Sequence, residues 1–410
     1  MSTYPQPPRK FLSGEGSWLT DEDGHRYLDM LSGLAVTSLG HAHPVVAAAT
    51  AKQARTLCHV SNLFDNQHRE PLAATLHQLV MGADSTQQGQ VFFTNSGAEA
   101  NECAIKLARK FGGHGRFQVV SAFGSFHGRT LATLHATGQP TKHEAFQPLP
   151  EGFRHAAWND IDSFCNAVDP TVAAILLEPV QGEGGVNPAT KEFFGAIRTL
   201  CNERGILMMI DEVQTGLGRC GSWFAFQEFG IVPDVVTIAK ALGNGMPIGA
   251  CWARAEVAEV FEPGDHGTTY GGQPLAAGTA RAVLEVMIAE DVPRRARERG
   301  AQLMGLLRTV EGISEVRGVG LLIAAELADA PAAAVNAALL EAGVVANAVT
   351  PTAIRFAPSL LITPEEVELA VHTLSEVLAA HTAAQSPDTH SSDTQSSETS
   401  MASPKDNPRI

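Results

Sequence analysis

The sequence has no apolar run of the length that a bilayer requires, so we expect no transmembrane helix. Its first residues, MSTYPQPPRKFLSGEG, lack a continuous apolar core and do not form the pattern of a signal peptide. The six cysteines are scattered, without a Cys-x-x-Cys pair, which argues against a disulfide framework or a zinc site. Together these absences predict a protein of the reducing cytoplasm, outside any membrane.

The chain also lacks an excess of basic residues. Lys and Arg number 29 against 44 Asp and Glu, which gives a net charge of −15. A surface of this sign repels phosphate backbones, so we expect no nucleic-acid partner. With 410 residues, 44% of them hydrophobic, the chain can bury a large core and is long enough for about two or three domains.

From about residue 90 the chain alternates apolar strands with helices. Strands that are apolar throughout and separated by helices predict an α/β fold, with a mainly parallel sheet covered on both faces. We expect its strands at residues 91–95, 118–123, 173–180, 206–211, 235–239 and 249–254.

The regions on either side of this alternation differ from it. Near residues 18–31 apolar and polar residues alternate around Asp23-Gly24, which predicts a hairpin. From Pro274 a long helix leads into a second α/β unit that ends in a helix at 364–381. We therefore predict an N-terminal arm and part of a small domain (1–50), a large domain built on this sheet (51–273), a C-terminal small domain (274–381) and a disordered tail (382–410).

Polar residues follow several of the predicted strands. Ligands of such sheets bind at the carboxyl ends of the strands, so these residues predict a site at one sheet edge. They are Ser96 after the first strand, Phe126 and His127 after the second, Glu183 after the third, Asp211 and Lys240.

Three of these positions suggest specific chemistry. Lys240 follows the apolar strand VVTIA, where desolvation would lower its pKa and make its amine nucleophilic. Asp211 ends the strand ILMMID, where a buried carboxylate needs a cation or strong donors. In TNSGAEAN, Ser96 can cap a helix whose small Gly97 and Ala98 leave their N–H groups open to a phosphate. Taken singly, each also fits a structural role: a surface lysine, a turn carboxylate, an ordinary capped helix.

Other side chains are candidates for binding. Phe126 could stack on a planar ring, and Val213 and Gln214 lie just beyond Asp211. Arg129 and Arg355 could each bind a carboxylate bidentately, although a lone arginine is usually a solvated surface residue.

Two further patterns do not predict sites. The G-x-G-x-x-G match at 216–221 starts four residues after its strand and opens no helix, so we reject dinucleotide binding. His41 and His43 lie in a turn before Pro44, and we expect packing there and no bound metal.

Seven segments in order resemble the class III aminotransferases of fold type I, which use pyridoxal 5′-phosphate. The resemblance covers about residues 10–380. The segments are TNSGAEANECAIKLARK, SFHGRTLATLHATGQ, LLEPVQGEGG, MIDEVQTGLGRCG, DVVTIAKALGNGMPIGA, HGTTYGGQPLA and IRFAPSL.

The resemblance implies a role for each cofactor residue. Lys240 would bond the cofactor as a Schiff base and act as the general base, and Asp211 would pair with the ring nitrogen. The other residues that would contact the cofactor are Ser96, Gly97 and Ala98 at the phosphate, Phe126, Val213 and Gln214 around the ring, and Thr269 at the phosphate of the neighbouring subunit. A site shared in this way implies a homodimer.

The resemblance also implies a reaction. Within the family the pattern is most similar to members that transfer the δ-amino group of N2-acetylornithine to 2-oxoglutarate in arginine biosynthesis. Arg129 would bind the distal carboxylate and Thr268 would lie near the substrate. Arg355 would bind the α-carboxylate of glutamate or 2-oxoglutarate, with Glu183 as its alternative partner.

Two positions depart from the family pattern. Gln273 replaces an asparagine in GGNP, and Thr37 stands where asparagine is common. Both lie near segments implied to contact substrate or the second subunit. Ornithine, succinylornithine and 4-aminobutyrate therefore remain alternative amino donors. The choice between a dimer and a tetramer also remains open.

Overall fold

The computed structural model describes residues 1–82 and 85–385. Its strands are β1 (Phe11–Glu15), β2 (Trp18–Asp21), β3 (Arg26–Asp29), β4 (Gly89–Thr94), β5 (Gln118–Ala122), β6 (Phe153–Ala156), β7 (Val172–Leu177), β8 (Val180–Gln181), β9 (Asn187–Pro188), β10 (Leu207–Asp211), β11 (Val235–Ile238), β12 (Gly249–Arg254), β13 (Ile313–Val319), β14 (Leu322–Leu327), β15 (Val344–Val345), β16 (Asn347–Ala348) and β17 (Ala353–Phe356).

The helices of the described residues are α1 (Ser32–Ala35), α2 (Pro44–Thr56), α3 (Arg69–Met81), α4 (Gly97–Gly112), α5 (Leu131–Ala136), α6 (Ile161–Ala167), α7 (Lys191–Arg204), α8 (Ala255–Ala258), α9 (Pro274–Ala289), α10 (Val292–Leu307), α11 (Ala332–Glu341) and α12 (Pro364–Gln385). Short 3₁₀ turns lie at Pro140–Lys142, Glu144–Phe146, Ala225–Phe229 and Lys240–Leu242. None of the described helices is long and apolar enough to cross a membrane.

A seven-stranded sheet forms the centre of the molecule, in the order β4-β12-β11-β10-β7-β5-β6. Neighbouring strands from β11 to β6 pair in parallel, whereas β12 is antiparallel to both β11 and β4. Two reversals restore the direction, so β4 runs the same way as β11. The carboxyl ends of every strand but β12 therefore meet at one edge, which confirms the mainly parallel α/β sheet.

Helices cover this sheet because they carry apolar residues at helical spacing. In α4 the buried residues include Ala100, Cys103, Ala104 and Leu107, which recur every three or four positions along one face. The Ser96 side chain accepts a hydrogen bond from the Glu99 N–H and caps the helix, as predicted. The N-terminus of α4 is thus fixed at the sheet edge where β4 ends.

Smaller sheets flank the central one. β1, β2 and β3 form an antiparallel sheet that β15 joins in parallel, so the N-terminal hairpin pairs with a strand from near residue 344. A second sheet has the order β13-β14-β17-β16. The hairpin around Asp23-Gly24 is confirmed, while the exact domain bounds stay a prediction.

Several predicted bounds need correction. The strand predicted at 173–180 ends at Leu177, because Pro179 has no N–H to continue the ladder, and Val180–Gln181 pairs separately with β9. β6 was not predicted: its sequence FRHA has no apolar run, since it lies at the sheet edge. The last helix extends beyond residue 381 to Gln385, and residues 386–410 of the predicted tail lie outside the described residues.

Candidate active site

A cavity of about 390 Å³ opens at the carboxyl edge of the central sheet. Its lining includes eleven of the residues predicted from the sequence, which lie at the start of α4 and at or just after the ends of β5, β8, β10 and β11. They are Ser96, Gly97, Ala98, Phe126, His127, Arg129, Glu183, Asp211, Val213, Gln214 and Lys240.

Lys240 lies in this cavity, two residues after β11 ends. Its backbone has a φ of 40°, a left-handed conformation that a side chain disfavours and that is typical of strained functional positions. Burial lowers the pKa of its amine to about 8, although the carboxylates of Glu183, Asp211 and Glu178 raise it in part. The Lys240 amine is therefore far more available as a nucleophile than that of a surface lysine.

Asp211 ends β10 and is buried. Its Oδ2 accepts a hydrogen bond from Asn101 Nδ2 at 2.8 Å and lies 2.8 Å from Nδ1 of His127. Its Oδ1 accepts the N–H of Val213 at 3.0 Å. These contacts fix the orientation of the carboxylate, which has no Lys or Arg ion-pair partner in the described part of the chain.

Asn101 is itself held in place. Its Oδ1 accepts a hydrogen bond from the Thr237 hydroxyl at 2.7 Å, and its amide also donates to the His127 carbonyl at 2.8 Å. His127 was predicted at this sheet edge, but its contact with Asp211 and the role of Asn101 were not predicted. Both lie within the motifs TNSGAEAN and SFHGRT, but their partners are distant in sequence.

The N-terminus of α4 faces the cavity with the small residues Gly97 and Ala98. A Cβ added at Gly97 would lie 2.7 and 2.9 Å from the two methyl groups of Val213, so only glycine fits against this valine. Free N–H groups and the helix dipole make the N-terminus a suitable binding site for an anion.

Phe126 and Gln214 lie on the walls of the same cavity. Neither the amide nitrogen nor the amide oxygen of Gln214 has a hydrogen-bond partner among the described residues, although both atoms are buried. A Cβ at Gly182 would lie 1.7 Å from Gln214 Oε1, so the side chain of Gln214 fits here only because residue 182 is a glycine. An unpaired buried amide is costly, and a polar ligand in the cavity would supply its partner.

Glu178 is a site residue that the sequence reasoning missed. It lies directly after β7, lines the cavity and accepts the N–H of Phe126 at 3.0 Å. Burial and the neighbouring charge of Asp211 raise the pKa of this carboxyl well above 4.5. Its position after an apolar strand was the available signal, but the prediction placed residue 178 inside the strand.

Arg355 and Glu183 form a pair at the edge of the cavity. Arg355 lies on β17, is buried, and donates from Nη1 to Glu183 Oε1 at 2.7 Å and from Nη2 to Asn347 Oδ1 at 2.8 Å. The arginine lowers the pKa of Glu183, which burial alone would raise. The two residues, 172 positions apart, thus meet as predicted.

Arg129 is exposed beside the ring of Phe126, with Cζ 5.6 Å from the ring centroid. Lys142 was not predicted, and its Nζ lies 5.4 Å from the same centroid. Within residues 1–82 and 85–385 neither of these cations makes an ion pair.

Thr268 and Thr269 lie outside this cavity. They line a neighbouring cavity of about 300 Å³ together with Asn95 and Glu99. The Thr268 hydroxyl accepts the N–H of Gly271 at 3.1 Å.

The two departures from the family pattern are both internal. Gln273 is buried, accepts the N–H of Val60 at 3.0 Å and donates to Asn62 at 3.0 Å. The hydroxyl of Thr37 is buried without a hydrogen-bond partner in the described part of the chain.

Comparisons with known proteins agree with this geometry. The sequence model of the family described as Aminotransferase class-III matches residues 3–378. The chain is 48% identical to the acetylornithine aminotransferase of Gloeobacter violaceus, over 92% of this chain and 95% of that protein. It is 47% identical to the acetylornithine aminotransferase of Corynebacterium efficiens, over 92% and 94% respectively.

Solved structures are similar over the same extent. The ornithine aminotransferase of Toxoplasma gondii has a TM-score of 0.88 and 32% identity, covering 94% of this chain and 93% of that one. A second structure of that enzyme, with a TM-score of 0.87 and 33% identity, covers 93% of this chain and 92% of its own and has pyridoxal phosphate at partial occupancy in its active site.

Proposed function

The chain belongs to the class III aminotransferase family, and on that premise we propose that it transfers the δ-amino group of N2-acetylornithine to 2-oxoglutarate. The products would be N-acetylglutamate 5-semialdehyde and glutamate, which places the reaction in arginine biosynthesis. The observation that carries the proposal is that Lys240 and Asp211 line one cavity whose edge holds Arg129 and the Glu183–Arg355 pair.

The residues of the cavity fit pyridoxal 5′-phosphate, the cofactor of the family. The start of α4 would hold the phosphate at Ser96, Gly97 and Ala98, and the unpaired amide of Gln214 would meet a polar group of the ring. Asp211 would accept a hydrogen bond from the protonated ring nitrogen, while Phe126 and Val213 would pack against the ring faces.

When bound, pyridoxal 5′-phosphate supplies an aldehyde that takes up the amino group and a protonated ring that withdraws electrons from the reacting carbon. Lys240 would move the proton: its Nζ would accept it from the substrate carbon that bears the amine and would then donate it to the carbon that comes from the cofactor's aldehyde. With a pKa of about 8, this amine exchanges a proton readily near neutral pH. Asp211 is held in one orientation by its three contacts.

The substrate carboxylates would meet the two arginines. Arg129, exposed and without an ion pair in the described part of the chain, would bind the distal carboxylate of the amino donor. Arg355 would bind the α-carboxylate of glutamate or 2-oxoglutarate, with Glu183 turning away at that moment. When acetylornithine is bound, Glu183 would neutralise Arg355 through the hydrogen bond that the two residues form in the structure.

We propose that the active form is a homodimer in the cytoplasm. Tyr270, which lines the cavity of Thr268 and Thr269, exposes 67% of its surface. Leu63 and Phe64 expose 86% and 67% and directly follow Asn62, whose amide donates to the Thr268 carbonyl. A second copy would bury this apolar surface and bring Thr269 to the phosphate of its neighbour. All six cysteines are free, as in proteins of a reducing compartment.

A comparison of kcat/KM tests the function. Purified protein loaded with pyridoxal 5′-phosphate is assayed with N2-acetylornithine, succinylornithine, ornithine and 4-aminobutyrate, with 2-oxoglutarate as acceptor. N2-acetylornithine should give the highest value, and a higher value for ornithine would refute the proposal.

Variants test the chemistry separately. Lys240→Ala should abolish both turnover and the cofactor link that borohydride traps, whereas Lys191→Ala, exposed on α7, should retain both. A trapped link in Lys240→Ala would disprove the role of Lys240.

A further inference from the structure

Lys142 is a cation beside the active site to which the proposed function gives no role. It lies in the 3₁₀ turn Pro140–Lys142, and its Nζ is 5.4 Å from the centroid of Phe126, a residue of the cavity wall. Arg129 lies over the same ring with Cζ at 5.6 Å. Two cations therefore lie beside one aromatic ring of the cavity wall.

The position of Lys142 is fixed by the loop that carries Phe126. Gly138 N–H donates to the Ser125 hydroxyl at 3.0 Å, and Gly138 O accepts the N–H of Gly124 at 2.8 Å. Gln139 donates from Nε2 to the Ser125 carbonyl at 2.9 Å, which turns its Oε1 toward Lys142. Lys142 Nζ donates to that oxygen. The side chain is thus half-buried and held in place, unlike a freely moving surface lysine.

The charges around Lys142 are unbalanced. Burial lowers the pKa of its amine, repulsion by Arg129 lowers it further, and Glu183 raises it. Glu183, however, is already bonded to Arg355. Lys142 and Arg129 are therefore left without an ion-pair partner in the described part of the chain, and an anion bound between them would relieve their repulsion.

We propose that Lys142 is a specificity-determining residue that binds the distal carboxylate of the amino donor together with Arg129 and selects for donors whose α-amine is acylated. The inference rests on the proposed function and deepens it. N2-acetylornithine presents a carboxylate and a neutral acetamide at its distal end. Free ornithine presents the same carboxylate next to an α-ammonium, which Lys142 repels.

The repulsion has a measurable size. A second positive charge within several ångströms of a substrate ammonium, in a partly solvated site, changes the relative affinity by about tenfold. Lys142 therefore favours the acylated donor without any contact specific to the acetyl methyl group.

Lys142→Gln, which keeps the length and removes the charge, tests the inference. In the loaded enzyme the ratio of kcat/KM for N2-acetylornithine to that for ornithine should fall about tenfold, mainly through KM. 4-Aminobutyrate has the carboxylate but no α-amine, so its kcat/KM should fall by a factor similar to that for N2-acetylornithine. Lys142→Arg keeps the charge and should keep the ratio, and Lys191→Gln, a charge removed from the exposed face of α7, should change nothing.

A non-reacting ligand gives an independent measurement. N2-acetylnorvaline has the distal end of N2-acetylornithine but no δ-amine to transfer, so its inhibition constant reports binding alone. This constant should rise about tenfold in Lys142→Gln and stay unchanged in Lys191→Gln.

An unchanged substrate ratio in Lys142→Gln, or the same fall in Lys191→Gln, would overturn the role of Lys142 while leaving the proposed function intact. Failure of the proposed function is recognised without any variant, because the wild-type enzyme would then prefer ornithine.

Discussion

A single methyl group at Gly97 tests the packing between the start of α4 and the wall of the cavity. In Gly97→Ala the new Cβ would lie 2.7 and 2.9 Å from the methyl groups of Val213. Carbon atoms pack best at about 3.5–4.0 Å, so the two elements must separate by about 1 Å. Overpacking of this kind costs about 1–3 kcal/mol.

The same shift should weaken cofactor binding. Val213 would move toward the space of the ring, and the N–H groups at the start of α4 would move with it, so we expect affinity for pyridoxal 5′-phosphate to fall about 10- to 100-fold. Urea denaturation of the cofactor-free protein measures the stability change, and titration of the cofactor absorbance measures the affinity change.

Two controls separate this clash from a general effect of alanine. Gly195 lies inside α7, and a Cβ there would meet no atom within 4 Å, so Gly195→Ala should stabilise the protein by about 0.5–1 kcal/mol. Val213→Ala removes the two clashing methyl groups and leaves Val213 Cβ at 3.3 Å. Gly97→Ala should therefore cost at least about 1 kcal/mol less in the Val213→Ala background. Equal costs in both backgrounds would refute the reasoning.

Three further predictions concern titratable groups: Lys240 and Glu183 of the site, and Glu212, the buried residue next to Asp211. In the cofactor-free protein, mass spectrometry can follow the rate at which acetic anhydride labels Lys240 as the pH is varied. The midpoint of this rate profile should lie near pH 8, and a midpoint near 10.5 would contradict the effect of burial. Burial raises the pKa of Glu212 from 4.5 to about 7, so the folded state binds a proton that the unfolded state has lost, and stability falls as pH rises through that window. In urea denaturation, the free energy of unfolding of Glu212→Gln should therefore rise by about 3 kcal/mol relative to that of the wild type as the pH is raised from 4 to 8. A difference between the two proteins that does not change with pH would contradict this. Glu183→Gln removes the charge that neutralises Arg355, so the KM for 2-oxoglutarate should fall and that for N2-acetylornithine should rise, each about tenfold, whereas parallel changes would exclude the alternating pairing.

The sequence predicted the site best where one local pattern placed one residue. Asp211 and Lys240 each follow an apolar strand, and Ser96 precedes an amphipathic helix, so their positions at the sheet edge follow from short segments. The structure confirms these placements, and the cavity brings them together. Residues whose importance depends on distant partners were missed, among them Asn101, Glu178 and Lys142.

The α/β class, the mainly parallel sheet and the residues at its carboxyl edge could be predicted from the sequence, because apolar runs and helix caps are local properties of the chain. The tertiary structure alone decided the strand order, with β12 reversed and the polar strand β6 at the edge. It also decided that Asn101 holds Asp211 across 110 residues and that Lys142 reaches the ring of Phe126. Such contacts depend on how separate elements pack, and the burial that lowers the pKa of Lys240 is a property of the assembled core, not of any one segment.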